Sequence, residues 1–383
     1  MKEYIKFILD KRLLIVFLML SSFELCLQLG VYQPLLKKNS YAANVYRITS
    51  HAKQSRDQLD PDILILGTSV AFEGLSVRIL NEKLSSLGYK VQSLAIPGSE
   101  LVVQYEVLKE NLKVYPNVKT IIHVMEPGMP WVDRDELILP TLAMLSETNN
   151  FDSINTIQDF EYKVGWQDNM YLAFKSIAYR RDIKDFLSEP QERIKYIGRD
   201  IRDPNTDPWD YDNDHTESID AYKISNLDEC MEKVNPANNE PIPSGSDKRH
   251  KKMLFDTCAL SVVTTLENGE TESTRRYFRR LTKMYELIPK DKIKVLHVFA
   301  PYSQIISEFG RESRRPLWER ELNSVMQNVF NQEADVINLE RLLDGPDNGK
   351  YCFDLIHLNQ QGKEKFSNEL GDILFKRIKE NKL

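Results

Sequence analysis

The sequence lacks the short signatures that settle a function at sight. It has four cysteines and no CxxC pair, which excludes zinc-ribbon and thioredoxin-type sites. No Walker A loop occurs and no GxGxxG follows the first apolar run, so nucleotide binding has no support. Positive charge is also short. With 51 Lys and Arg against 57 Asp and Glu, the net charge of −6 gives no overall pull towards nucleic acid. With only 15 Gly and 17 Pro in 383 residues, the chain is neither collagen-like nor of low complexity. What is present, 42% hydrophobic with 10% aromatic residues, suits a folded protein with a sizeable core.

The histidines give no metal pattern. His123 and His297 fall inside predicted strands and read as core residues, while His51, His215 and His250 lack ligand spacing. Asp210, Asp212 and Asp214 repeat at the spacing of a calcium loop's first ligands. His215 then stands where that loop needs Gly, and Ala221 where it needs Glu, so a solvated acidic loop is expected. No metal and no other cofactor is implied. Cys230 and Cys258 either pair in an oxidising compartment or stay free and buried.

The N-terminus predicts a membrane anchor within residues 1–37. Lys2, Lys6, Lys11 and Arg12 precede an apolar stretch, Leu13–Tyr32, whose 20 residues would make a helix. At its rise per residue that helix reaches about 30 Å, enough for one crossing as an uncleaved signal anchor. The basic flank favours an inside N-terminus and an extracytoplasmic main domain. Glu24 sits near the middle of the span, where an ionised carboxylate costs several kcal/mol. A partner helix in the membrane, protonation, or a shift towards the interface would each relieve that cost. A polar connector, 38–60, follows.

Beyond it, apolar strands alternate with amphipathic helices. Strands are expected at Asp62–Gly67, Lys90–Ile96, Lys119–Met125, Lys292–Ala300 and Asp335–Leu339. Helices are expected at Ser76–Leu87 with Ser76 as cap, Glu100–Val114, Ser273–Leu287, Leu317–Phe330 and Gln361–Lys379. This is an α/β pattern with a mostly parallel sheet covered on both faces. The domain is split into 61–131 and 272–383 by a mainly helical insertion, 132–271, too long for a crossover. The insertion carries a helical signal over Tyr162–Leu187 and then a polar, Pro-bearing run from Ser188 to about Lys251. It reads as a lid over the active face or as a peripheral support. Arg275, Arg276, Arg279 and Arg280 form a basic helix face, either solvated or in contact with headgroups or an anionic glycan.

Ligands in such sheets bind beyond the carboxyl ends of the strands. There the chain places Gly67-Thr68-Ser69 after the first strand, and Asp354-Leu355-Ile356-His357 just before the last helix. Serine needs a base to take its proton, and an imidazole needs a carboxylate to fix its tautomer. Ser69, His357 and Asp354 supply those three roles.

These residues resemble the SGNH/GDSL hydrolase superfamily. Ile65-Leu66-Gly67-Thr68-Ser69 looks like its first block and Asp354-x-x-His357 like its last. Gly98 in Ala95-Ile96-Pro97-Gly98-Ser99 looks like the glycine of its second block. The resemblance covers roughly 60–130 and 285–380. It implies a flavodoxin-like parallel five-stranded sheet and an oxyanion hole built from the Ser69 and Gly98 N–H groups. The third block departs from the family pattern. Where an Asn should donate to the oxyanion, the chain reads Met125-Glu126-Pro127-Gly128, and an ionised Glu aimed inward would oppose the reaction. The membrane-anchored envelope branches imply an acyl esterase or O-acyltransferase acting on a cell-envelope glycan or an acyl-carrier, lipid-linked substrate. They also imply a multispanning membrane acyltransferase as partner, which Glu24 would contact. The rival is a catalytically inactive component that binds or assembles within a polysaccharide-modification complex.

Overall fold

The computed structural model describes residues 10–38, 40–54, 59–126, 128–131, 138–145, 152–163, 165–166, 169–203, 215–265 and 269–383. The expected strands form, each trimmed at its ends: β1 (Ile63–Leu66), β2 (Val91–Ser93), β3 (Thr120–Met125), β4 (Lys294–Phe299) and β5 (Asp335–Asn338). They make one five-stranded sheet, parallel throughout, in the order β2-β1-β3-β4-β5. In this doubly wound order the direction of winding switches between β1 and β3, which opens a crevice at their carboxyl ends. Strands β1 and β3 are buried along their whole length, as is the short edge strand β2, and β1 reads as a continuous apolar run; edge strand β5 is largely open.

Side-chain alternation divides the two faces. Ile63, Ile65, Ile122, Val124, Leu296 and Val298 join a core with Leu80 and Leu84 of helix Val77–Leu84 and with Phe366, Leu370 and Leu374 of helix Gln360–Lys379. On the opposite face His123 and His297 meet Tyr285, the last residue of helix Glu272–Tyr285. Helices Leu101–Val114 and Arg315–Phe330 pack against that helix. Ser76 caps its helix as expected, accepting from Ile79 N at 3.3 Å, and Asn359 caps the last one, accepting from Gly362 N at 3.1 Å.

The chain divides into two compact units, along lines that differ from the expected ones. His51–Arg134 and Asp207–Leu383 form one; Met1–Ser50 and Asp135–Thr206 form the other. The segment 132–271 is shared between the two units. Its second half belongs with the sheet, where helices Leu227–Val234 and Lys248–Thr265 are joined by a Cys230–Cys258 disulfide with Cα atoms 6.1 Å apart. The run expected to be merely polar from Ser188 to Lys251 thus holds helices, including Pro190–Arg202 with its proline in the first turn. The connector 38–60 likewise carries a helix, Tyr41–Gln54, with Ala42, Val45 and Ile48 buried.

In the other unit the apolar N-terminal helix runs Lys11–Gln28, 18 residues, with side chains from Leu13 to Leu20 40–68% exposed. Among the described residues, no helix is long and apolar enough to cross a membrane. The expected spanning helix therefore finds no support among the described residues. The helix ends before Tyr32, where Pro34 enters a short 3-10 turn, and it carries Lys11, Arg12 and Glu24. Glu24 finds its partners within the chain. Its carboxylate accepts from Lys175 N at 2.7 Å, Ser176 N at 3.1 Å and Gln28 Nε2 at 2.6 Å. It thereby caps Lys175–Ala178, one of three short helices (with Asn169–Ala173 and Arg180–Ser188) along the stretch Tyr162–Leu187 that carries the helical signal. A buried ion pair closes the unit: Arg193 Nη2 donates to Asp182 Oδ2 at 2.7 Å, and Tyr32 OH donates to the same oxygen at 2.6 Å.

Candidate active site

Three consecutive residues turn β1 into the helix Ser69–Gly74. Gly67 has φ +152°, and a Cβ there would lie 2.7 Å from Ala71 Cβ and 3.2 Å from Val124 O, so only glycine lets strand and helix meet this closely. Thr68 caps the helix, its Oγ1 accepting from Val70 N at 3.3 Å and donating to Glu126 Oε2 at 2.8 Å. Ser69 is therefore the first helical residue, its N–H among those left open at the helix start. Gly67 O accepts from Ile96 N at 3.3 Å and from Ser99 Oγ at 3.2 Å, which ties the loop after β2 to the loop after β1. In that second loop Gly98, φ +67°, takes the left-handed position of a turn closed by Ser99 N donating to Ile96 O at 3.1 Å.

The far end of the chain supplies the base. His357 Nε2 lies 2.7 Å from Ser69 Oγ, and His357 Nδ1 donates to Asp354 Oδ2 at 2.8 Å. The other carboxylate oxygen, Oδ1, accepts from Ile356 N at 2.9 Å and His357 N at 2.8 Å. Phe353 N donates back to His357 O at 2.9 Å, so the turn is locked by its own backbone. All three expected residues are thus in line at the switch point of the sheet. Asp354 is fully buried. Burial alone would lower the His357 imidazole, but the charge and hydrogen bond of Asp354, reinforced by Glu73 and Glu126, raise it to about 9.

Several supporting residues carry no sequence signal of their own. Glu73 stands four residues after Ser69 on the same helix, and hence on the same face. Burial raises its carboxyl above the usual carboxylate range, against the charges of His357 and Lys363. Glu73 Oε2 lies 3.7 Å from His215 Nε2. His215 stacks on Phe353 with centroids 3.9 Å apart, and burial with the Arg249 charge lowers it to about 4. His250 Nε2 donates to Phe353 O at 2.6 Å, while its Nδ1 accepts from Ser246 Oγ at 2.8 Å. Both histidines come from the second half of the insertion, which within this unit acts as a support for the Asp354–His357 turn. Their separation in sequence from Phe353 hid that role.

The remaining titratable groups sort differently. His123 and His297 are buried core residues bridged by Tyr285 and held neutral, at about 3 and about 4, chiefly by burial. Of the basic face, Arg275 and Arg279 pair with Glu272, and Arg280 is buried. The Asp210, Asp212 and Asp214 loop lies outside the described residues; among the described residues, no cluster of His, Cys, Asp and Glu is arranged to hold a metal ion. A surface depression lined by Lys294, Asp335 and Arg377 lies where β4 and β5 begin, at the sheet edge opposite Ser69. Neither the family models nor the curated proteins compared with this chain match it.

Proposed function

We propose that the protein is an SGNH-like serine acyl esterase or O-acyltransferase. The observation that carries this reading is the hydrogen-bonded line from Ser69 Oγ through His357 to the buried Asp354 carboxylate. In the proposed cycle the Ser69 hydroxyl attacks an ester carbonyl and its proton passes to His357 Nε2. Asp354 holds the imidazole and stabilises its charge. The negative oxygen of the tetrahedral intermediate faces the Ser69 and Gly98 N–H groups. Its collapse breaks the ester C–O bond, and the leaving alcohol takes the proton from His357. The acyl-serine is then attacked by water or by an acceptor hydroxyl, which gives its proton to His357; release of Ser69 returns the site to its start.

By the same resemblance the substrate is an ester on a cell-envelope glycan or lipid-linked carrier, with a multispanning membrane acyltransferase as partner. The exposed apolar side chains of Lys11–Gln28 favour a membrane location, and the Cys230–Cys258 disulfide favours an extracytoplasmic catalytic unit. Glu126, standing where the family presents an Asn, supports the rival reading of a non-catalytic component. Labelling of the purified full chain with a fluorophosphonate probe separates the two. The catalytic reading expects labelling that vanishes in Ser69→Ala and falls strongly in His357→Ala. An unlabelled but folded wild-type protein, also when co-purified with its membrane partner, would sink it.

A further inference from the structure

The residue that breaks the family pattern, Glu126, also holds the cap residue of the nucleophile's helix. It follows β3 directly, is 3% exposed, and stands across the β1/β3 switch point from Ser69. Its Oε2 accepts the Thr68 hydroxyl proton at 2.8 Å, and the Thr68 oxygen in turn accepts from Val70 N at 3.3 Å. A hydroxyl rotates freely unless a strong acceptor fixes it. A carboxylate is such an acceptor, so Glu126 aims the Thr68 lone pair at the helix start. Gly67 itself brings no side chain that could brace the turn. The one side-chain brace between β3 and the Ser69 turn shown by the described contacts is this Glu126–Thr68 bond.

We propose that Glu126 is a positioning residue which, through Thr68, seats Ser69 at the helix start within reach of His357. This rests on the serine acyl-transfer reading above. It also gives the Glu a task compatible with that chemistry, because a carboxylate committed to Thr68 need not turn towards the developing oxyanion. A second consequence is electrostatic. His357 is faced by Asp354 from its own turn, by Glu73 from the Ser69 helix, by His215 from the insertion, and by Glu126 from the end of β3. Removing the Glu126 charge while keeping its oxygen should therefore make His357 easier to deprotonate.

The test is the rate constant of fluorophosphonate labelling against pH. In that reaction the Ser69 O–P bond forms, the P–F bond breaks, fluoride leaves and the serine proton passes to His357. Thr68→Val, which removes both the donor and the cap, should slow labelling about 10-fold with the pH midpoint unchanged. Thr68→Ser should restore the rate to within about threefold, because the hydroxyl returns. Glu126→Gln keeps an acceptor, so its plateau rate should stay near wild type while the midpoint moves down by about half a unit. Glu126→Ala should combine both defects. Thr68→Val and Glu126→Ala labelling at the wild-type rate would overturn the proposal. So would Thr68→Ser as slow as Thr68→Val in proteins of unchanged melting temperature. Labelling retained in Ser69→Ala sinks the serine reading itself, and this proposal with it.

Discussion

Two histidine environments in this molecule are shifted in opposite directions. His123 and His297 face each other across β3 and β4, and a single Tyr285 hydroxyl lies between their rings, 2.6 Å from His123 Nδ1 and 3.0 Å from His297 Nε2. His297 Nδ1 donates to Asp335 O at 3.2 Å, so every partner in that chain is neutral and burial decides the protonation state. His357 is partly buried, and Asp354 accepts from its ring and raises it to about 9. Burial sets the cost of charging an imidazole; a carboxylate within hydrogen-bond reach decides whether that cost is met. A histidine is therefore structural or chemical according to its partner's charge.

The sharpest way to break the contrast is to give His357 a neutral partner. Asp354→Asn should lower kcat/KM on a simple acyl ester by about 10⁴-fold, since the amide cannot fix the productive tautomer. It should also drop the His357 titration from about 9 to below its ordinary value, followed by imidazole NMR. An unchanged titration would refute the assigned cause. Next in size is the scaffold behind the turn. Opening the Cys230–Cys258 link, which closes a loop with a sequence separation of 28, should cost about 3–4 kcal/mol in denaturant unfolding. Because His250 and the disulfide share helix Lys248–Thr265, labelling of Ser69 should slow as well.

Tyr285→Phe should cost about 1–3 kcal/mol, because two buried ring nitrogens lose their shared partner. The pH midpoint of Ser69 labelling should stay where it is, and a shift would mean that the two histidine environments are coupled. The pH dependence of stability is the finest probe, and its two arms have opposite sign. The His357 contribution is complete below its ordinary value near 6.5, decays as pH rises towards about 9, and is gone above. For His123 and His297, lowered to about 3 and about 4, the unfolded chain takes up protons first, so stability falls as pH drops below about 6.5. Thermal unfolding of Asp354→Asn across pH should lose the first arm and keep the second.

Periodicity and composition made most of the sheet unit legible. The strands from β1 to β5 and the helices capped by Ser76 and Asn359 lie close to where apolar runs and cap residues place them. Ser69 and the Asp354–His357 turn were legible because each occupies a strand-end or pre-helix position that local pattern locates. Glu24 was legible as an anomaly but not in its solution. The amides of Lys175 and Ser176 that donate to its carboxylate are about 150 residues away, and no local pattern encodes such a pairing. The helical signal of Tyr162–Leu187 was legible in the same way, but not its division into three short helices.

By itself, then, the sequence determined the strands, their burial and the identity of the three residues in line, because these follow from short-range spacing and from which side chains can leave water. Tertiary structure alone decided that His215 and His250 brace Phe353, that Glu126 holds Thr68, and that His357 is raised where His123 is lowered. Those facts depend on a few ångströms between groups distant in the chain. Electrostatic and hydrogen-bond energies are set by that separation and by the water excluded from it.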